Sequence, residues 1–141
     1  MKTKKISLIV SIFIGMAITM LITSIGCKKE PGLGGNATIM GKLITQNYNK
    51  DFSVLVEEYY TPNEYVYIIF GDSPSYGDRV KTNYDGTFVF DHLRPGDYII
   101  YAYSKDTTKN STPDIAILKN ITVSKKELKD IGEIVIADNK G

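Results

Sequence analysis

From Ala37 onward the apolar residues fall on alternate positions in short runs, and Gly, Asn, Asp or Pro interrupts them at intervals of about ten residues. A period of two sends successive side chains to opposite faces of an extended strand, whereas a helix needs a period of 3.6. No stretch in this part keeps the helical period long enough to bury one face. A strand with one apolar face needs a second layer to cover it. The pattern therefore predicts an all-β fold of sandwich type.

The alternation predicts strands over 37–45, 52–57, 64–70, 79–83, 87–91, 97–104, 115–123 and 133–137. Within 64–70, Val66, Ile68 and Phe70 share one face, and Tyr65, Tyr67 and Ile69 share the other. Within 97–104, Tyr98, Ile100 and Ala102 alternate with Ile99, Tyr101 and Tyr103. Tyr84-Asp85-Gly86 predicts a hairpin turn between 79–83 and 87–91, because Gly86 can take the positive φ that other residues resist. Leu93-Arg94-Pro95-Gly96 predicts a second tight turn. Ser124-Lys125-Lys126-Glu127 matches a capping box, with apolar support for at most one helical turn.

Ahead of this region, Met1 to Lys5 form a basic start, and Ile6 to Ile25 form an uncharged apolar segment that runs into Gly26-Cys27. That is the layout of an export signal. About twenty apolar residues would also span ~30 Å of hydrocarbon, which leaves an uncleaved transmembrane helix as the alternative. Ser7, Ser11, Gly15, Thr19, Thr23 and Ser24 lower the hydrophobicity of the segment, and Cys27 is the chain's single cysteine. An intrachain disulfide is thus excluded, and lipid attachment would consume the thiol. The segment resembles bacterial lipoprotein signals, in which a small residue precedes the acylated cysteine. Gly26-Cys27 fits, while Ser24 stands where that group usually has an aliphatic residue. The resemblance implies cleavage after residue 26, a membrane anchor on Cys27, and a position in the cell envelope. Lys28-Lys29 is unlike the inner-membrane retention signal, Asp, which points to the outer membrane.

Residues 27–36 are rich in Gly and Pro and read as a flexible tether, which leaves 37–138 as one domain of ordinary size. Three of the 17 basic residues lie in the leader, so 14 face 16 acidic ones and the mature charge is −2. With no basic excess, nucleic acid is not expected as a partner.

Gly41, the run Asp85-Gly86-Thr87-Phe88-Val89-Phe90 and the run Leu93-Arg94-Pro95-Gly96-Asp97-Tyr98-Ile99-Ile100 resemble the carboxypeptidase regulatory-like domains. These belong to a wider group of prealbumin-like sandwiches that includes transthyretin and the B-type repeats of collagen-binding adhesins. The resemblance implies a seven-stranded Greek-key β-sandwich and little about chemistry. Ala102 stands where the adhesin repeats carry the glutamate that promotes an isopeptide bond, which argues against such a crosslink. One histidine and the C-terminal Ala137-Asp138-Asn139-Lys140-Gly141 exclude the hydroxyisourate hydrolases of that group.

His92 is the one base of suitable pKa for nucleophilic catalysis, and it has no partner motif. One His and one Cys cannot furnish a four-ligand zinc site, and Asp72 with Asp78 reads as a turn more readily than as a calcium loop. The sequence thus leads us to expect no catalytic residues, no metal, no cofactor and no enzyme. Ten tyrosines and no tryptophan are the remaining signal. Tyr65, Tyr67, Tyr101 and Tyr103 share the face opposite the core set and form the candidate binding face. Ordinary cross-strand pairing is the competing explanation for them. The expected function is that of a membrane-anchored binding or spacer module with an envelope protein or carbohydrate partner. The alternative is an accessory subunit docking onto an envelope enzyme or transporter. For the anchor, Cys27→Ser is expected to abolish acylation and leave unprocessed precursor. Metabolic labelling with a fatty-acid analogue checks this, and label retained by the variant would refute it.

Overall fold

The computed structural model describes residues 29–108 and 114–139; the leader and Cys27 lie outside the described residues. Among the described residues eight strands follow one another: β1 (Leu33–Tyr48), β2 (Leu55–Tyr60), β3 (Tyr65–Phe70), β4 (Asp78–Lys81), β5 (Thr87–Leu93), β6 (Gly96–Ser104), β7 (Ile115–Val123) and β8 (Leu128–Asp138). They form two four-stranded sheets and one all-β sandwich, with one strand more than the seven that the resemblance implies. Sheet A is built on β1. The strand β8 runs parallel along one edge of it, while β5 and β2 share the other edge, antiparallel to it. Sheet B has the order β4-β3-β6-β7 and is antiparallel throughout.

The core follows the alternation. Ile39 and Leu43 of β1, Phe88 and Phe90 of β5, and Ile134 of β8 meet Val66 and Ile68 of β3 and Tyr98, Ile100 and Ala102 of β6. Gly41 occupies a core-facing position where even a Cβ would lie 2.7 Å from the Phe88 ring and from the Gly132 carbonyl oxygen.

Four local expectations change. The tether was expected to reach residue 36, but 33–36 belong to β1, and the Tyr98 hydroxyl holds the residue before it. This hydroxyl accepts a hydrogen bond from the Gly32 amide at 2.9 Å and donates one to the Arg94 carbonyl at 2.6 Å. The Arg94 amide closes the clamp on the Gly32 carbonyl at 2.8 Å. The second strand begins at Leu55, because the Asn49 side chain accepts from the Ser53 and Val54 amides and folds 49–54 into a loop. Within that loop Phe52 takes a φ of 57°, which ends any strand.

The expected hairpin between 79–83 and 87–91 is instead a crossing between sheets. Gly86 does adopt a φ of 76°, but β4 pairs with β3 and β5 pairs with β1. A turn signal is local and does not say which sheet each flanking strand joins. Finally, Ser124 to Glu127 is a turn without a helix, although the Glu127 carboxylate accepts from the Ser124 amide at 2.6 Å as a capping box would have it. That bond, with Lys129 second, holds the Glu127 carboxyl below its ordinary pKa.

Gly96 has a φ of 149°, and a Cβ there would lie 2.6 Å from Pro31. The variant Gly96→Val is therefore expected to lose stability on the order of 1–3 kcal/mol from backbone strain. Chemical denaturation reads the loss, and an unchanged midpoint would contradict the clamp geometry.

Candidate functional site

The register of sheet B brings the tyrosines together. Tyr67 of β3 lies opposite Tyr101 of β6, and the same register carries Arg79 of β4 beside Tyr67, Lys81 beside Tyr65, and Leu118 of β7 beside Tyr101. All these side chains rise from the face of sheet B that points away from the sandwich core. The rings of Tyr67 and Tyr101 stack with centroids 5.0 Å apart and planes 13° apart. Neighbouring strands lie about 4.8 Å apart, so two upright rings in register stack with little adjustment.

Tyr103 meets Tyr67 edge-on at 5.5 Å and Tyr101 edge-on at 5.6 Å, while Tyr65 tilts against Tyr67 at 6.2 Å. All four predicted site residues therefore sit in one cluster. A fifth member, Tyr76, comes from the loop between β3 and β4 and meets Tyr67 edge-on at 5.3 Å. The sequence reading missed it because loop residues carry no period. Gly77 lets the loop fold back: its amide donates to the Ile68 carbonyl at 2.8 Å, and a Cβ there would collide with the Phe70 ring.

Two cations border the cluster. The Arg79 guanidinium lies 4.3 Å from the Tyr65 ring centroid and the Lys81 ammonium 4.9 Å from it. The Tyr67 hydroxyl beside Arg79 is the main cause that raises the guanidinium above its ordinary pKa.

The five rings are unequally exposed, and this divides their roles. Tyr101 is only 7% exposed, whereas Tyr76 and Tyr103 are 48% and 49% exposed and Leu118 58%. Tyr101 thus anchors a small second apolar cluster outside the main core. Tyr76, Tyr103 and Leu118 present the surface. Burial, with the Tyr103 hydroxyl second, pushes the Tyr101 phenol up to about 12.

The other candidates are not assembled. His92 lies at a bulge of β5 with a φ of 54°, well exposed, and its Nε2 is 3.7 Å from the Asp91 carboxylate. Asp78 opens β4, where its Oδ1 accepts from the Arg79 amide at 2.8 Å. Among the described residues no group of His, Cys, Asp and Glu is arranged to hold a metal ion.

No protein-family model matches the chain. It is 29% identical over 123 residues, covering 73% of this chain, to uridine kinases from three strains of Streptococcus thermophilus. The chain spans 54% of the length of those kinases. Among solved structures, a Pseudomonas aeruginosa protein described as a candidate carbohydrate-binding protein is similar with a TM-score of 0.47 and 18% identity, over 76% of this chain and 91% of that one.

The kinase similarity overturns the expectation that the chain is not an enzyme, since that expectation rested on the absence of a motif and this finding is a match to an enzyme. It brings no assigned site with it. The phosphate-cradling run Gly-x-x-x-x-Gly-Lys-Ser/Thr has its nearest counterpart in Gly35 to Leu43, which has five residues between the glycines, Leu43 in place of the hydroxyl, and a strand in place of a loop.

The raised Tyr101 phenol makes a testable statement. Its neutral form is favoured in the folded state, so the contribution is complete below the ordinary tyrosine pKa of about 10 and is lost as pH rises toward 12. Ultraviolet titration is expected to show one phenol ionising near 12. Tyr101→Phe should remove that component and flatten the alkaline loss of stability. A titration unchanged by the substitution would contradict the burial of this ring.

Proposed function

We propose that the chain is a cell-envelope lipoprotein, anchored through Cys27, whose sandwich domain binds carbohydrate on the outer face of sheet B. The observation that carries the reading is the half-exposure of Tyr76 and Tyr103 on a bed formed by the stacked Tyr67 and the buried Tyr101. A tyrosine offers an apolar ring for the C–H face of a sugar and a hydroxyl for its polar edge. Rings already held by their neighbours lose little conformational freedom on binding, which is a large part of what association costs. Arg79 and Lys81 add donors along one border, held by Tyr65.

The placement of the domain supports the envelope reading. The first described residues are clamped at one end of the sandwich by Tyr98 and Arg94, so a chain arriving from Cys27 enters at that end. The tyrosine face runs toward the opposite end. There β3 begins and β6 finishes, far from the attachment.

Replacing Tyr76 and Tyr103 together by Ser removes the exposed rings and leaves Tyr67 and Tyr101 in place. Retention on immobilised envelope polysaccharide is expected to fall at least tenfold, with the fold retained and the thermal midpoint lowered by roughly 10 °C, since the two changes together cost on the order of 2 kcal/mol at half-exposed positions. Polysaccharide retention equal to that of the unaltered protein would reject the carbohydrate reading. Loss of a discrete envelope protein with unaltered polysaccharide retention would replace it by docking.

A further inference from the structure

At the end of the sandwich remote from Pro31, a cleft of about 350 Å³ opens between the two sheets. Tyr59 of β2 lines one part of it and Tyr103 of β6 another, so the tyrosine face and the cleft share a residue. Thr45 and Thr61, both buried, also line it and join their hydroxyls at 2.6 Å. Among the described residues that line it, Glu64, Asp114 and Asp138 supply carboxylates and Lys105 an ammonium.

That ammonium is already engaged. Lys105 Nζ lies 2.7 Å from Asp114 Oδ1, and this hydrogen bond with the charge behind it is the main cause that raises the Lys105 pKa, to which Asp138 adds. The described residues of the cleft therefore carry two formal negative charges in excess, and ionised carboxylates only accept hydrogen bonds. Its natural occupant donates: a ring bearing hydroxyls, or one bearing an ammonium. A uronate, sulfate or phosphate would meet like charge. The volume stands at the low end of the roughly 300–1,000 Å³ typical of ligand sites, which suits one pyranose unit.

We infer that this cleft is a subsite for a single neutral or amine-bearing sugar residue at the end of a glycan laid along the tyrosine face. The inference rests on the carbohydrate reading above and adds to it the class of sugar and the place where a chain end is read. A glycan running across Tyr76, Tyr67 and Tyr103 reaches the cleft without leaving aromatic surface.

The test uses the full chain in detergent micelles and isothermal titration with three tetrasaccharides, of glucosamine, of N-acetylglucosamine and of galacturonate. Glu64→Gln with Asp138→Asn keeps shape and removes two charges. The unaltered chain is expected to bind the glucosamine tetramer at least tenfold more tightly than the uronate. The double variant should lose at least fivefold for the glucosamine tetramer while its uronate affinity holds or rises. Tyr76→Ser, outside the cleft, should weaken all three alike. Preference for the uronate, or a glucosamine preference untouched by the double variant, overturns the cleft; the tyrosine reading then survives if Tyr76→Ser still weakens binding. Absence of binding to all three overturns both.

Discussion

Every strand of sheet A depends on the backbone of β1, and the handover between its partners takes place at one residue. The Leu43 amide donates to the Gly86 carbonyl at the start of β5, and the Leu43 carbonyl accepts from the Thr61 amide at the end of β2. On its other edge β1 carries β8 from Thr38 to Asn47. Buried backbone groups must find partners, and a strand with partners on both edges leaves none of its central groups to water. The two connections that leave this junction, 61–64 and 82–86, both cross to sheet B. The junction thus sets where β3 and β4 begin and end, and through them where the tyrosines stand. Gly86 permits the crossing, because a Cβ there would lie 2.7 Å from the Leu43 carbonyl oxygen.

From that frame the outer face of sheet B acquires its own small core. An antiparallel register fixes which side chains oppose one another, and here it sets Tyr67 against Tyr101 and Tyr101 against Leu118. The neighbours close over Tyr101 and leave the rings around it half open. Aromatic pairs of this geometry contribute about 0.5–1.5 kcal/mol each beyond area burial, so the face is rigid before any ligand arrives. Rigidity and exposure are supplied by different residues, which lets the surface-facing members vary at small expense to the fold.

Much of this was legible in the chain. The period of two located seven of the eight strands to within a few residues and assigned Val66, Ile68, Tyr98, Ile100 and Ala102 to the core; the last strand was expected from residue 133 and starts at Leu128. The same alternation put Tyr65, Tyr67, Tyr101 and Tyr103 on one face, where the structure places them. What it could not supply was pairing between distant strands. The sequence around Gly86 reads as a hairpin because a turn is local, whereas β4 and β5 choose their sheets through contacts with β3 and β1. Nor does alternation distinguish an exposed ring from a covered one. Tyr101 points away from the main core and is nevertheless buried, because Tyr67 stacks on it, Tyr103 meets it edge-on and β7 adds Leu118 beside it.

The central claim is that glycans are read on the outer face of sheet B and at the cleft where it ends. Two-dimensional NMR of the isotopically labelled chain in micelles, recorded while an amino-sugar tetrasaccharide is added, locates contacts residue by residue. The account predicts shifts at Tyr67, Tyr76, Tyr103 and Leu118 and at the cleft residues Thr61, Glu64, Lys105 and Asp138, with β5 and His92 silent. Shifts centred on β5 and His92, or a tyrosine face that stays unperturbed at saturating sugar, would contradict it.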